Sequence, residues 1–276
     1  MIKIINLDVK DVRFPTSKDL TGSDAIHTDP DYSATYVTIH TSENNLKGYG
    51  IAFTIGKGND IVAECIKHFF PIFNGLTIEE IEKDIGKLWF QCVDHSQLRW
   101  LGPEKGVVHM AVAAIFNALW DLIAKKNKKP LWQYVVDSKP ETIMSWLTFK
   151  YIEDVMTQDD AFNILSESQK FKEQRTKTIL EEGYPSYTTA AGWLGYSDQK
   201  IIELCEKYIS MGWKHFKVKV GLDLEADVKR LELIRNTIGN ECSIMVDANQ
   251  QWNVEQSIKH INAYKKFNLL FVEEPT

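Results

Sequence analysis

Residues 215–221 read HFKVKVG, residues 243–249 read SIMVDAN and residues 269–275 read LLFVEEP. Each run is apolar and strand-like, and each closes on charge: Lys217 and Lys219, then Asp247 with Asn249, then Glu273 with Glu274. Lys219 and Asp247 lie 28 positions apart, and Asp247 and Glu273 lie 26 apart. That is the length of one strand-helix-strand repeat. The intervening segments, 224–239 and 254–267, have helical spacing, and the first ends at a glycine. Such alternation predicts a parallel sheet with right-handed crossovers. It brings two lysines and two carboxylates to the same end of neighbouring strands, where barrel and α/β enzymes place their chemistry. No GxGxxG or Walker loop occurs, which favours a barrel over a nucleotide-binding open sheet.

Working outward, residues 197–213 read as a helix capped by Ser197 or Asp198, and 187–195 as a strand or strand end. Residues 157–182 are polar and charged, the pattern of an exposed helical insertion, and 141–152 read as an apolar strand. The first third is different. Residues 2–14, 34–41 and 47–56 alternate with period two, the last two around the turn SENN, and predict an antiparallel sheet. A long polar loop, 15–32, separates the first strand from that hairpin; loops of this length inside a domain are commonly functional. Helices are expected over 59–70, 78–92 and 104–127, the last apolar almost all round and ended by Pro130, with a short helix at LWQYVVD. The domains expected are therefore residues 1–140, a connecting strand and helical insertion at 141–182, and three βα units of an incomplete barrel at 183–276.

The chemistry follows from the strand ends. Parallel neighbours lie about 4.8 Å apart, so Asp247 and Glu273 repel unless a cation sits between them or one takes a proton. Hard oxygen donors on a rigid scaffold suit Mg²⁺, which makes Asp247 and Glu273 candidate metal ligands with Asn249 beside them. Alternation puts Phe216, Val218 and Val220 on one face and Lys217 and Lys219 on the other, inward in a barrel. A buried lysine near a second cation loses proton affinity and becomes a usable base. The set describes removal of a proton next to a carboxylate, with metal and lysine stabilising the enediolate.

These motifs, together with the ALWDLIAKK helix, resemble the enolase superfamily, mandelate racemase subgroup. DVRFPTS, SDAIHTDPDYSATYV, QLRWLGPEKGVVH and GYPSYTTAAGWLGYSD are similar to its L-fuconate dehydratases. The resemblance implies an α+β N-terminal capping domain followed by a (β/α)7β barrel, here partial, and a Mg²⁺-dependent removal of water from L-fuconate to give a 2-keto-3-deoxy acid. It implies that Asp247 and Glu273 are metal ligands, Lys219 the acid/base, Lys217 the support for the substrate carboxylate, and Asn249 a neighbour of the metal. Gly22, Ser23, Asp24 and Tyr32 would close over the sugar hydroxyls, and Trp100 and Trp193 are candidate pocket walls. It further implies a third carboxylate and a histidine on later strands. His215, ahead of the lysine strand, and His260, on a helix, are no substitutes. We therefore expect a fragment that is inactive alone. The alternatives are a non-catalytic dimerisation module and a dehydratase of another aldonate.

Composition bounds the partners. Net charge is −6 and no long basic run occurs, so neither nucleic acid nor membrane is expected as a partner. The four cysteines lack CxxC or CxxH spacing and read as reduced thiols. The N-terminus alternates too regularly for a signal peptide. A soluble cytoplasmic or mitochondrial protein, homo-oligomeric when full length, is the expectation.

Overall fold

The computed structural model of the chain describes residues 1–98, 100–101 and 106–276. Residues 99 and 102–105, within the QLRWLGPEKGVVH motif and at the start of the helix expected over 104–127, lie outside the described residues. The chain divides into two compact units: residues 1–13 with 33–183, and residues 14–32 with 184–276.

In the first unit, strands β1 (Ile4–Val12), β2 (Ser33–Thr41) and β3 (Lys47–Thr54) form an antiparallel sheet in chain order. Period-two alternation buries Val37 and Ile39 against the helices and leaves Tyr36 exposed on the other face. The helices are α1 (Asn59–Phe69), α2 (Ile78–Val93) and α3 (Val107–Lys126). A capping box starts α2: Thr77 Oγ accepts from the Glu80 N–H while Glu80 accepts from the Thr77 N–H. Helix α3 is long and apolar enough by composition to cross a membrane, yet Ala111, Ala114, Ile115, Ala118, Leu119 and Leu122 are fully buried in this unit's core. Gly50 lets β3 lie directly on it, since a Cβ there would stand 2.0 Å from the Ala114 carbonyl oxygen.

After α4 (Leu131–Asp137) the strand expected over 141–152 does not form. The chain makes a short helix, α5 (Pro140–Met144), and then turns. Pro140 sits at the start of α5, where its fixed φ and missing N–H suit a first turn. Trp146 then stacks on Tyr134 at 6.1 Å and meets Trp120 edge-on at 5.0 Å, so its apolar surface serves helix packing rather than a sheet. The polar stretch that follows is α6 (Gln158–Gln169) and α7 (Lys172–Glu182), where Ala161 is the one buried residue.

The second unit carries the repeat. Helix α8 (Asp198–Ser210), capped by Ser197, precedes β4 (His215–Lys219). Helix α9 (Leu224–Ile238), β5 (Ser243–Asp247), α10 (Val254–Tyr264) and β6 (Leu269–Glu273) follow. The strands are parallel in the order β4-β5-β6, with Lys219 opposite Asp247 and Asp247 opposite Glu273. The expected strand at 187–195 is reduced to a parallel bridge, Thr188 with Phe216. The Thr188 carbonyl accepts from Lys217 N–H at 2.9 Å, and the Gly192 carbonyl accepts from Lys219 N–H at 2.9 Å. Phe216, Val218, Ile244 and Val246 face the helices and form this unit's core. The inner positions are held by Lys217, Lys219, Met245 and Asp247.

Candidate active site

The strand register decides the site. Lys217 and Lys219 alternate inward from β4 and are buried. Lys217 Nζ donates to Asp247 Oδ2 at 3.1 Å and to Glu273 Oε2 at 2.5 Å. Lys219 Nζ donates to the same Asp247 oxygen at 2.7 Å and to Asn249 Oδ1 at 2.8 Å. Five residues predicted from three separate motifs thus meet in one charge cluster. The backbone at the strand ends is unusual: Asn249, Gln250 and Glu274 have φ of 50°, 60° and 44°. Such left-handed conformations cost energy in residues with side chains and gather at functional sites. They are locked together, since the Gln250 N–H donates to the Glu274 carbonyl at 2.7 Å. This turn brings Asn249 back to Lys219.

The electrostatics of the cluster follow from its partners. Burial lowers the proton affinity of Lys217, but hydrogen bonds to Glu273, Asp247 and Tyr187 outweigh it and hold this lysine above its ordinary value. Carboxylates rather than cations are the nearest charged neighbours of Lys217, which keeps it protonated. Burial would raise the Asp247 carboxyl; donors from Lys219, the Asn249 N–H and Lys217 prevail and keep it low and ionised.

The cluster also tests the cation expectation. One ammonium, that of Lys217, stands between Asp247 and Glu273 within hydrogen-bond distance of both. It is a stand-in for a cation, and it shows that the two carboxylates are spaced to share one. They fit part of a hard-cation shell. Among the described residues no group of three His, Cys, Asp or Glu side chains gathers to complete it, so other positions on the ion would fall to Asn249, water or substrate.

The loop 14–32 belongs to this same unit. Ser23 Oγ donates to the Leu20 carbonyl at 2.9 Å and to the carbonyl of Leu194, while Asp24 accepts from the N–H groups of Ile26 and His27 and pairs with the His27 ring. These bonds build the loop. Gly22 is required by shape, since a Cβ would enter the Tyr32 ring at 2.5 Å, and Tyr32 Oη donates to the Gly22 carbonyl at 3.1 Å. Burial, then Asp24 and Asp247, push the Tyr32 phenol up against an opposing pull from Lys217. Its ring meets Trp193 edge-on at 6.0 Å, and Trp193 lies 5.8 Å from Lys219 Nζ. Trp100 is 95% exposed.

Two groups near the site escaped the sequence reading. Tyr187 places its ring 5.0 Å from Lys217 Nζ; a tyrosine in a Tyr- and Thr-rich segment carries no distinctive signal. Asp227 is buried and Arg230 largely so, both on α9. Here a signal existed: Asp227, Leu231, Ile234 and Ile238 share one helical face, which places a carboxylate in a row of core residues.

Comparison with known proteins agrees with this architecture. Residues 22–135 match the family described as the mandelate racemase / muconate lactonizing enzyme N-terminal domain, and residues 200–276 match the enolase C-terminal domain-like family. The chain belongs to the mandelate racemase subgroup of the enolase superfamily. Within that superfamily it is 46% identical to human mitochondrial enolase superfamily member 1, whose crystal structure it matches with a TM-score of 0.94 over 99% of this chain and 62% of that one. It is 42% identical to L-galactonate dehydratase of Hypocrea jecorina over 100% of this chain and 62% of the relative. The fold also matches a Streptomyces coelicolor A3(2) racemase crystallised with bound magnesium, with 24% identity, a TM-score of 0.70 and coverage of 99% and 62%. The chain thus spans about three fifths of the length of these superfamily relatives.

Proposed function

We propose that this chain carries the lysine- and carboxylate-bearing part of an acid-sugar dehydratase centre that uses Mg²⁺. The observation that carries the reading is the meeting of Lys217, Lys219, Asp247 and Glu273 at the ends of three parallel strands. Asp247 and Glu273 would hold the metal, with Asn249 beside it. The bound metal supplies Lewis acidity, polarising the substrate carboxylate. Lys217 adds a second positive charge where the enediolate develops, and Lys219 Nζ exchanges the α-proton from the next inward position on β4. Charge stabilisation must grow along this path, because an α-proton beside a carboxylate is only weakly acidic. Gly22, Ser23, Asp24 and Tyr32 form the loop over the sugar hydroxyls.

L-Fuconate is the substrate we propose, with conversion to 2-keto-3-deoxy-L-fuconate and water. The 42% identity to an L-galactonate dehydratase supports L-galactonate as the second candidate. Discrimination between such sugars rests on a few hydroxyl contacts. The human relative's name supports the mitochondrion as the compartment. A half-reaction tests the reading. Each aldonate is incubated with the chain and Mg²⁺ in D₂O, and loss of the C2 proton is followed by NMR. Exchange of the C2 proton without net dehydration by the chain alone is expected, and it should vanish in Lys219→Met and Asp247→Asn. Exchange that persists in Lys219→Met, or a chain to which calorimetry detects no Mg²⁺ binding, refutes it.

A further inference from the structure

Arg230 is a largely buried arginine, its side chain 11% exposed, whose position stability alone does not explain. Its Nη2 lies 3.8 Å from Asp227 Oδ1, beyond hydrogen-bond range, and that nitrogen is buried without a hydrogen-bond partner. Burial pulls the guanidinium below its ordinary value. Removing such a charge from water costs several kcal/mol, on the order of what a well-made pair returns, and this pair is not well made. Features that break a local rule without a structural return collect at functional sites.

What the pair touches gives the reason. Arg230 Nη1 donates to the Trp193 carbonyl at 3.3 Å. Asp227 Oδ2 accepts from the Gly221 N–H at 2.8 Å and from Tyr264 Oη at 3.1 Å. Gly221, at φ 125°, is the turn two residues beyond Lys219, and its position packs 3.2 Å from the Ala25 Cβ, taking a Cβ built on the glycine. Trp193 in turn stands beside Lys219 Nζ and against Tyr32. One helical turn of α9 therefore holds the backbone carbonyl of Trp193, whose indole stands on one side of Lys219, and the backbone turn that follows the lysine strand.

We propose that Asp227 and Arg230 are positioning residues that set Trp193 and the Gly221 turn around Lys219. The consequence for proton transfer rests on the proposed reading of the centre; the positioning itself does not. The test is ¹⁹F NMR of the chain labelled with 5-fluorotryptophan, with the Trp193 line assigned from Trp193→Phe. Arg230→Met removes the guanidinium, and Arg230→Lys keeps the charge but cannot span Asp227 and the Trp193 carbonyl. Tyr264→Phe, which spares both charges, is the milder variant should the arginine changes prevent folding. The expected result is a shifted or broadened Trp193 line, with the lines of Trp89, Trp120 and Trp146 in the other unit unmoved. Adding Mn²⁺ gives the second reading: the wild-type Trp193 line broadens through its proximity to Lys219 and Asp247, and the extent of that broadening changes in the variants. A Trp193 line unchanged in a folded arginine variant overturns the proposal whatever the metal does. Failure of Mn²⁺ to affect the wild-type protein counts against the metal reading and leaves the Trp193 line to decide the positioning role.

Discussion

Lys217→Met removes the ammonium that bridges Asp247 and Glu273 while keeping side-chain length. Breaking a buried pair by removing one partner costs about 3–5 kcal/mol. Two facts reduce that here: Asp247 keeps Lys219 at 2.7 Å, and the Glu273 side chain is 36% exposed. We expect a loss of about 2–3 kcal/mol in the second unit. At 1.4 kcal/mol per decade, amides of β5 and β6 should then exchange hydrogen roughly 30- to 140-fold faster, read by mass spectrometry of peptides covering 243–247 and 269–273. Mg²⁺ should restore much of this, since a ligand at a hundredfold excess over its Kd stabilises by about 2.7 kcal/mol. The restoration should be larger in the variant than in the wild type, where the ion competes with the Lys217 ammonium for the same oxygens. Equal exchange in variant and wild type, or equal Mg²⁺ protection in Lys217→Met/Asp247→Asn, would refute this account of the cluster.

Other outcomes follow from the same structure. Asp247→Asn and Glu273→Gln should each weaken Mg²⁺ binding at least about tenfold by calorimetry, as expected when a hard anionic donor is lost from a partial shell; unchanged affinity would place the cation elsewhere. Gly50→Ala should destabilise the first unit by more than about 3 kcal/mol in urea unfolding, because the new Cβ meets the Ala114 carbonyl of α3. Glu80, bonded by the Thr77 N–H and hydroxyl, is held below its ordinary value of 4.5. Its folded value is depressed, so its contribution to capping α2 is full above pH 4.5 and is lost as pH falls through the folded value. In Glu80→Gln that acid-side loss should flatten, which helix content measured against pH will show.

The parallel repeat was legible because its signal is doubly written. Period-two alternation fixes which way Lys217 and Lys219 point, and the spacing of the three motifs fixes where Asp247 and Glu273 arrive. Strand pairing at the register Lys219–Asp247–Glu273 then needed nothing further. Residues 141–152 misled because Ile143 and Trp146 are apolar at a spacing that serves either a strand or a docked turn, and the stacking of Trp146 on Tyr134 decides for the turn. The electrostatic setting of Lys217 is not legible in the same way. The sequence supplies the cations and anions but not their order in space, and the nearest charges to this lysine are anionic. The placements of Tyr187 and Arg230 beside the site rest on contacts across 30 and 37 positions, which no local pattern encodes.

The loop 14–32 is tied to partners far along the chain: Ser23 to Leu194 across 171 positions, and Thr21 Oγ to Tyr196 Oη across 175. A ribosome working at about 5–20 residues per second needs roughly 9–35 s to cover that interval. For that time the nascent segment has nothing to dock on, although the strands flanking it already exist to pair with each other. Closing so long a loop is also an entropic hurdle that favours late assembly. The polar, turn-rich composition of residues 15–32 thus has a second consequence: it lets an unanchored stretch wait in water, with little apolar surface to attract chaperones or neighbours, until its seat has been synthesised.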